Sequence, residues 1–207
     1  MGNTTFAALA ALLLAACAAP GTTNAAGADG HELVLLTYNI HHGQGDDGVF
    51  DLERQAQVIL DSGADLVVLQ EVDVKTGRAG GVDQATELGR LTGMHASFAE
   101  AMPYDGGSYG EALLSRWPLV STETWPLVAT DGREPRAAVV GVVEPPGLGY
   151  AVRVVGTHLD HVGEALRFAQ VGDLLNFTFP AYPGGGLPTV LMGDLNAQPA
   201  SSPMDRG

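Results

Sequence analysis

LVLLTYN (33–39), IHHGQGDDGVF (40–50), DLERQAQVILDSG (51–63) and ADLVVLQE (64–71) follow one another without interruption, each with its own pattern. Residues 33–38 are apolar apart from one Thr, which predicts a strand mostly buried on both faces. Residues 41–48 are rich in Gly and Asp, which tolerate turn backbone, and read as a loop. Asp51 stands as an N-cap ahead of Leu52, Ala56, Ile59 and Leu60 on one helical face, and Gly63 fits the helix end. Residues 65–70 form a second apolar strand. Strand, helix and strand within 38 residues begin an α/β domain.

Working outward, 84–91 predicts a second helix. Five short stretches then follow: 95–101, 109–115, 119–127, 136–143 and 150–157. Asp-Gly and Pro-Gly clusters separate them, so they read as a meander of neighbouring antiparallel strands. Residues 162–176 predict a helix presenting Ala165, Phe168, Ala169, Gly172 and Leu175 on one side, and 188–192 a last strand. No internal repeat and no second domain is visible.

The chain of 207 residues is 45% hydrophobic, enough for one packed core. It carries 24 acidic against 10 basic residues, a net charge of -14, and Lys75 is its only lysine. A protein that grips nucleic acid by its phosphates shows a basic face; this composition disfavours that class without excluding it. The lone Cys excludes an internal disulfide framework.

That Cys closes an informative stretch. Residues 6–16, FAALAALLLAA, are too few to span a bilayer but suit the apolar region of a signal peptide. Leu14-Ala15-Ala16-Cys17 is similar to a bacterial lipobox, so 1–16 is expected to be a signal peptide and Cys17 a lipidation site. The leading MGNTTF lacks the usual basic residues, and an ordinary secretory signal with an incidental Cys17 is the alternative. Residues 18–31 read as a flexible tether, and the domain as 32–207. Export to the cell envelope, with lipid attachment to a membrane or secretion, is the expected localisation.

Asn39, Glu71, His158 and Asp194 each end an apolar strand, with Asn196 two positions further on. Ligands in α/β sheets gather at such ends, and carboxylates and amides suit a hard divalent cation. Singly, each has a plainer reading as a turn residue, a post-strand polar residue or a hydrogen-bonded core histidine. The set and its order carry the case.

LTYNIHHG, LQEVD, YGEALLSRWPL, GTHLDH and MGDLNAQP occur in this order. Together they resemble the endonuclease/exonuclease/phosphatase superfamily across roughly residues 33–200. The resemblance implies a four-layer α/β/β/α sandwich of two facing mixed sheets. It implies Asn39 and Glu71 as ligands of Mg²⁺ (or Mn²⁺), and Tyr109 and Arg136 as substrate-binding residues. His158 would stabilise the phosphoryl group or protonate the leaving oxygen. Asp194 would orient or deprotonate water, and Asn196 would hold the phosphate or that water. His41, His42 and the Gly-rich loop lie beside this set, either shaping it or forming a solvated turn.

Relatives carry a further Asp and a C-terminal Asp-His pair after the GDLN motif, whereas this chain ends thirteen residues after Asp194, with Asp205 too near to replace them. The expectation is a domain lacking its last strands, poorly soluble or inactive as 17–207. The function expected is hydrolysis of a phosphate ester such as a lipid head group or a sugar or polyol phosphate, by a monomer held at a membrane through its lipid. Two alternatives stand beside it: an inactive envelope lipoprotein that keeps the fold for binding, and a secreted nuclease.

Overall fold

The computed structural model describes residues 32–178 and 186–198. The predicted signal peptide, Cys17, the tether and Asp205 lie outside the described residues. The first sheet has the order β1-β2-β4-β3, formed by β1 (Leu35–Asn39), β2 (Leu66–Val74), β3 (His95–Tyr104) and β4 (Gly107–Ser115). The second runs β5-β6-β7-β8, from β5 (Leu119–Pro126), β6 (Ala137–Val143), β7 (Val152–His158) and β8 (Thr189–Asp194). The sheets are mixed: β1 is parallel to β2 and β7 to β8, while the remaining pairs are antiparallel.

Leu66, Val68 and Leu113 of the first sheet meet Val139, Val143 and Val154 of the second, forming the inner core. The opposite face of the first sheet, with Val67, Leu69 and Leu114, is covered by α1 (Leu52–Ser62) and α2 (Gln84–Thr92). The outer face of the second sheet, with Val140 and Val155, packs against Leu174 of α3 (Glu164–Thr178). This is the expected four-layer α/β/β/α sandwich. Because β2 is buried on both faces, its sequence reads as a continuous apolar run rather than an alternating one.

Helix ends follow the local chemistry. Asp51 accepts a hydrogen bond from the Arg54 amide at 2.9 Å, and Asp83 from the Thr86 amide at 3.0 Å. Gly63 closes α1 at φ +67°, where an L side chain is disfavoured.

Several details depart from the sequence reading. Strand β1 is an edge strand, and Val34 and Leu35 are exposed rather than covered on both faces. The meander is divided: β4 inserts between β2 and β3, and the chain crosses to the second sheet after Ser115. On α1, Leu60 is 49% exposed and Gln55 takes the buried position, its amide donating to the Ile40 carbonyl at 2.9 Å. On α3, Leu166, Gln170 and Leu174 face inward, whereas Ala165, Ala169 and Leu175 face solvent. Gln170 is drawn in because it can satisfy two backbone groups. It accepts from the Asp160 amide at 2.9 Å and donates to the Val128 carbonyl at 3.2 Å.

Candidate active site

Each parallel strand pair is joined by a helix, β1-α1-β2 and β7-α3-β8, and each brings two C-terminal ends side by side. Those ends meet at a cavity of about 330 Å³ whose lining includes Glu71, Tyr109, Arg136, His158, Asp194 and Asn196. Six sequence-predicted residues, drawn from both sheets, therefore share one site. Asn39 lies just behind it, its Nδ2 donating to Glu71 Oε1 at 2.8 Å.

Glu71 sits in a bulge of β2 between Leu69 and Val72, with φ +59°. A bulge breaks the alternation of a strand and re-aims a side chain. Here it turns a carboxylate out of an apolar strand and into the cavity. The Asn39 Oδ1 accepts from the His41 amide at 3.0 Å, which ties the end of β1 to the loop that follows.

On the second sheet, the His158 Nδ1 stands 2.9 Å from Arg136 Nη1. A guanidinium only donates, so Nδ1 is the acceptor and the ring proton resides on Nε2. That Nε2 lies 3.7 Å from Asp194 Oδ2. Burial, followed by the adjacent Arg136 charge, lowers the His158 pKa to about 4, so the imidazole is neutral at neutral pH. Arg136 is itself only 2% exposed. Its Nη2 reaches His161 Nδ1 at 3.3 Å, and its Nη1 lies 3.1 Å from Glu134.

Asp194 is held from its own loop. Oδ1 accepts from the Asn196 amide at 2.9 Å, and the Asn196 Nδ2 donates to the Leu159 carbonyl at 2.9 Å. Gly193 explains why the end of β8 can lie so close to β7: a Cβ there would run into the Thr157 carbonyl.

The sequence reading missed the third wall. Arg78 donates through Nε and Nη2 to the two oxygens of Asp73, at 2.6 and 2.8 Å, and Asp73 is fully buried. The guanidinium lies over the Tyr104 ring at 4.4 Å and the Tyr109 ring at 5.6 Å. Burial, reinforced by Glu71, raises the Tyr109 pKa, so its phenol keeps its proton. Beneath Tyr109, on the same face of β4, Glu111 is buried and neither carboxyl oxygen has a hydrogen-bond partner among the described residues. Burial raises its pKa well above the usual range, so it too is neutral.

The cavity lining places Glu71, Glu134 and Asp194 against Arg78 and Arg136. This balance is negative, and a phosphate anion would meet net repulsion unless a cation shared the site. Glu71 and Asn39 offer the oxygen donors such a cation takes. Ligand atoms of His41, His42 and Glu71 also lie within 4.8 Å of one another. The donor chemistry thus fits a divalent ion.

The sequence pattern of the Endonuclease/Exonuclease/phosphatase family matches residues 36–207. The chain belongs to this family. Among solved structures, an endonuclease/exonuclease/phosphatase from Beutenbergia cavernae DSM 12333 is 30% identical, with a TM-score of 0.65, over 81% of this chain and 48% of its own. A functionally unknown conserved protein from Enterococcus faecalis V583 is 24% identical, with a TM-score of 0.67, over 83% of this chain and 69% of its own. A mannosyl-6-phosphatase from Bacteroides thetaiotaomicron VPI-5482 shares the fold at 18% identity, with a TM-score of 0.66, over 84% of this chain and 69% of its own. The chain thus spans between about half and about two thirds of the length of these relatives. The family's description groups nucleases with phosphatases, enzymes that act on phosphate esters.

Proposed function

We propose that this protein is a divalent-metal-dependent hydrolase of small phosphate esters. One observation carries the reading: Glu71, Tyr109, His158, Asp194 and Asn196 converge from both sheets on a single cavity. A bound divalent ion at Glu71 and Asn39 would polarise the phosphoryl oxygens and neutralise their charge. Asp194 is the base. Its Oδ1 is held by the Asn196 amide, which leaves Oδ2 to take a proton from water as the water oxygen attacks phosphorus, the ester P–O bond breaks and the leaving oxygen is protonated by solvent.

His158 is a hydrogen-bond donor to the phosphoryl group through Nε2–H. Arg136 occupies Nδ1, which disfavours the imidazolium that protonation of a leaving oxygen would need. Arg136 positions His158 and His161, since its guanidinium is buried against them. Tyr109 donates its phenolic proton to a phosphate oxygen, and Asn196 holds the phosphate or the attacking water.

The size of the cavity suits a sugar, polyol or lipid-derived phosphate. The shared fold of a mannosyl-6-phosphatase is compatible with that class. The net charge of -14 disfavours nucleic acid. The test is phosphate release from a panel of sugar, polyol and head-group phosphates beside single-stranded DNA, with and without chelator. Cleavage of DNA alone would replace this reading with a nuclease. Divalent-ion binding without any turnover would favour a binding lipoprotein.

Export and anchoring through an acylated Cys17 belong to the same proposal and rest on residues 6–17. The intact mass of the protein extracted from membranes tests them. An acyl increment on a chain beginning at Cys17 is expected, and an unmodified mass would contradict it.

A further inference from the structure

The loop after β1 is built more firmly than a solvated turn requires. His41 and His42 both adopt φ +46°, and Glu71 adopts +59°, so three neighbouring side chains project from left-handed backbone. Non-glycine residues avoid that region unless their surroundings hold them there. The holding groups are visible. Gln84, fully buried, donates through Nε2 to the His42 carbonyl at 2.7 Å while its Oε1 accepts from the Asp73 amide at 2.8 Å. Gln55, also buried, donates to the Ile40 carbonyl at 2.9 Å. Two interior amides thus fix the backbone on either side of His41.

The side chains held in this way are a pair of imidazoles beside a carboxylate. The rings of His41 and His42 are 4.4 Å apart, edge to face, and their ligand atoms share a 4.8 Å neighbourhood with a Glu71 oxygen. The Nδ1 atom of His42 is buried without a hydrogen-bond partner. The Asn39 amide occupies only Oε1 of Glu71, which leaves Oε2 for another contact.

We propose that His41, His42 and Glu71 form a position for a transition-metal ion of the Zn²⁺ type, in which two imidazole nitrogens join the carboxylate at the phosphoryl site. The inference rests on reading Glu71 as a metal ligand and extends it. Imidazole selects borderline ions over Mg²⁺, which takes oxygen ligands and keeps its waters. The His pair would therefore bias this site away from Mg²⁺.

The test is binding to metal-free protein, with Zn²⁺ followed by calorimetry and Co²⁺ by its visible absorption. The variants are His41→Asn and His42→Asn, because Asn tolerates left-handed backbone and removes the imidazole. The expected result is one equivalent bound by the wild type and a loss of at least about tenfold in Zn²⁺ affinity in either variant, with a changed Co²⁺ spectrum. Unaltered affinity and spectrum in both folded variants would overturn the proposal. Should a variant unfold, imidazole NMR of the wild type decides. Zn²⁺ that shifts the His41 and His42 ring signals supports the site, and Zn²⁺ that leaves them unmoved overturns it. Absence of turnover with an intact Co²⁺ spectrum would sink the hydrolase reading alone. Turnover with Mg²⁺ but no imidazole-dependent Zn²⁺ binding would sink only this one.

Discussion

Arg136 donates to the Nδ1 atom of His158 across 2.9 Å, and both side chains are buried at the cavity wall. The contact fixes the imidazole tautomer and, together with burial, holds the ring neutral down to a pKa of about 4. Arg136→Gln removes the charge, so His158 should protonate at higher pH. Protonation leaves the Nε2–H donor in place, so the change is read on the ring itself rather than in the rate. Imidazole NMR titration of His158 in both proteins checks this. Equal titration midpoints would contradict it.

Glu111 gives a stability prediction of defined sign. Its folded pKa is raised, so the folded protein keeps a proton that the unfolded chain releases. Its contribution to stability is full below the unfolded carboxyl pKa and declines as pH rises above it. Glu111→Gln should therefore raise stability at neutral pH, where the carboxyl must hold a proton that the amide does not need, and change little near pH 4. Urea unfolding at both pH values measures the difference. A Gln variant less stable at neutral pH would show that Glu111 is ionised and paired.

Asp73 depends on Arg78. Arg78→Ala leaves a fully buried carboxylate with Thr76 as its remaining side-chain partner. Breaking one side of such a pair typically costs ~3–5 kcal/mol. Denaturant unfolding should show a loss of that order, and a loss below ~1 kcal/mol would mean that water replaces the guanidinium at Asp73.

Gly193→Ala tests the link between strand spacing and catalysis. The added Cβ meets the Thr157 carbonyl, so β8 must move away from β7 and carry Asp194 with it. A misplaced base forfeits most of its effect, on the order of 10²–10⁴-fold. The expected outcome is a large loss of kcat with a folded circular dichroism spectrum. Unchanged kcat would show that the separation of Asp194 and His158 is not critical.

The site was legible in the sequence wherever a polar residue ended an apolar strand. Asn39, Glu71, His158 and Asp194 stand out because each closes a largely apolar run, one that is buried for β2 and β7 and only partly covered for β1 and β8. The Asp73–Arg78 pair was not legible. Asp73 lies beyond the Glu71 bulge, where the alternation of β2 is reset, and its partner arrives from the following loop rather than at a strand or helix period. The faces of α1 and α3 were misjudged for a related reason. Gln55 and Gln170 are buried because they satisfy backbone groups, and hydrophobic periodicity does not register that pull. Strand order within the sheets depends on long-range pairing, which local pattern does not encode.

The most direct test of the central claim is the rate of phosphate release from small phosphate esters by the wild-type protein and by Asp194→Ala, each with added divalent ion and with chelator. The account predicts chelator-sensitive turnover by the wild type and a fall of roughly 10²–10⁴-fold in the variant. Turnover that survives both the chelator and the loss of Asp194, or no turnover of any ester with any divalent ion, would contradict it.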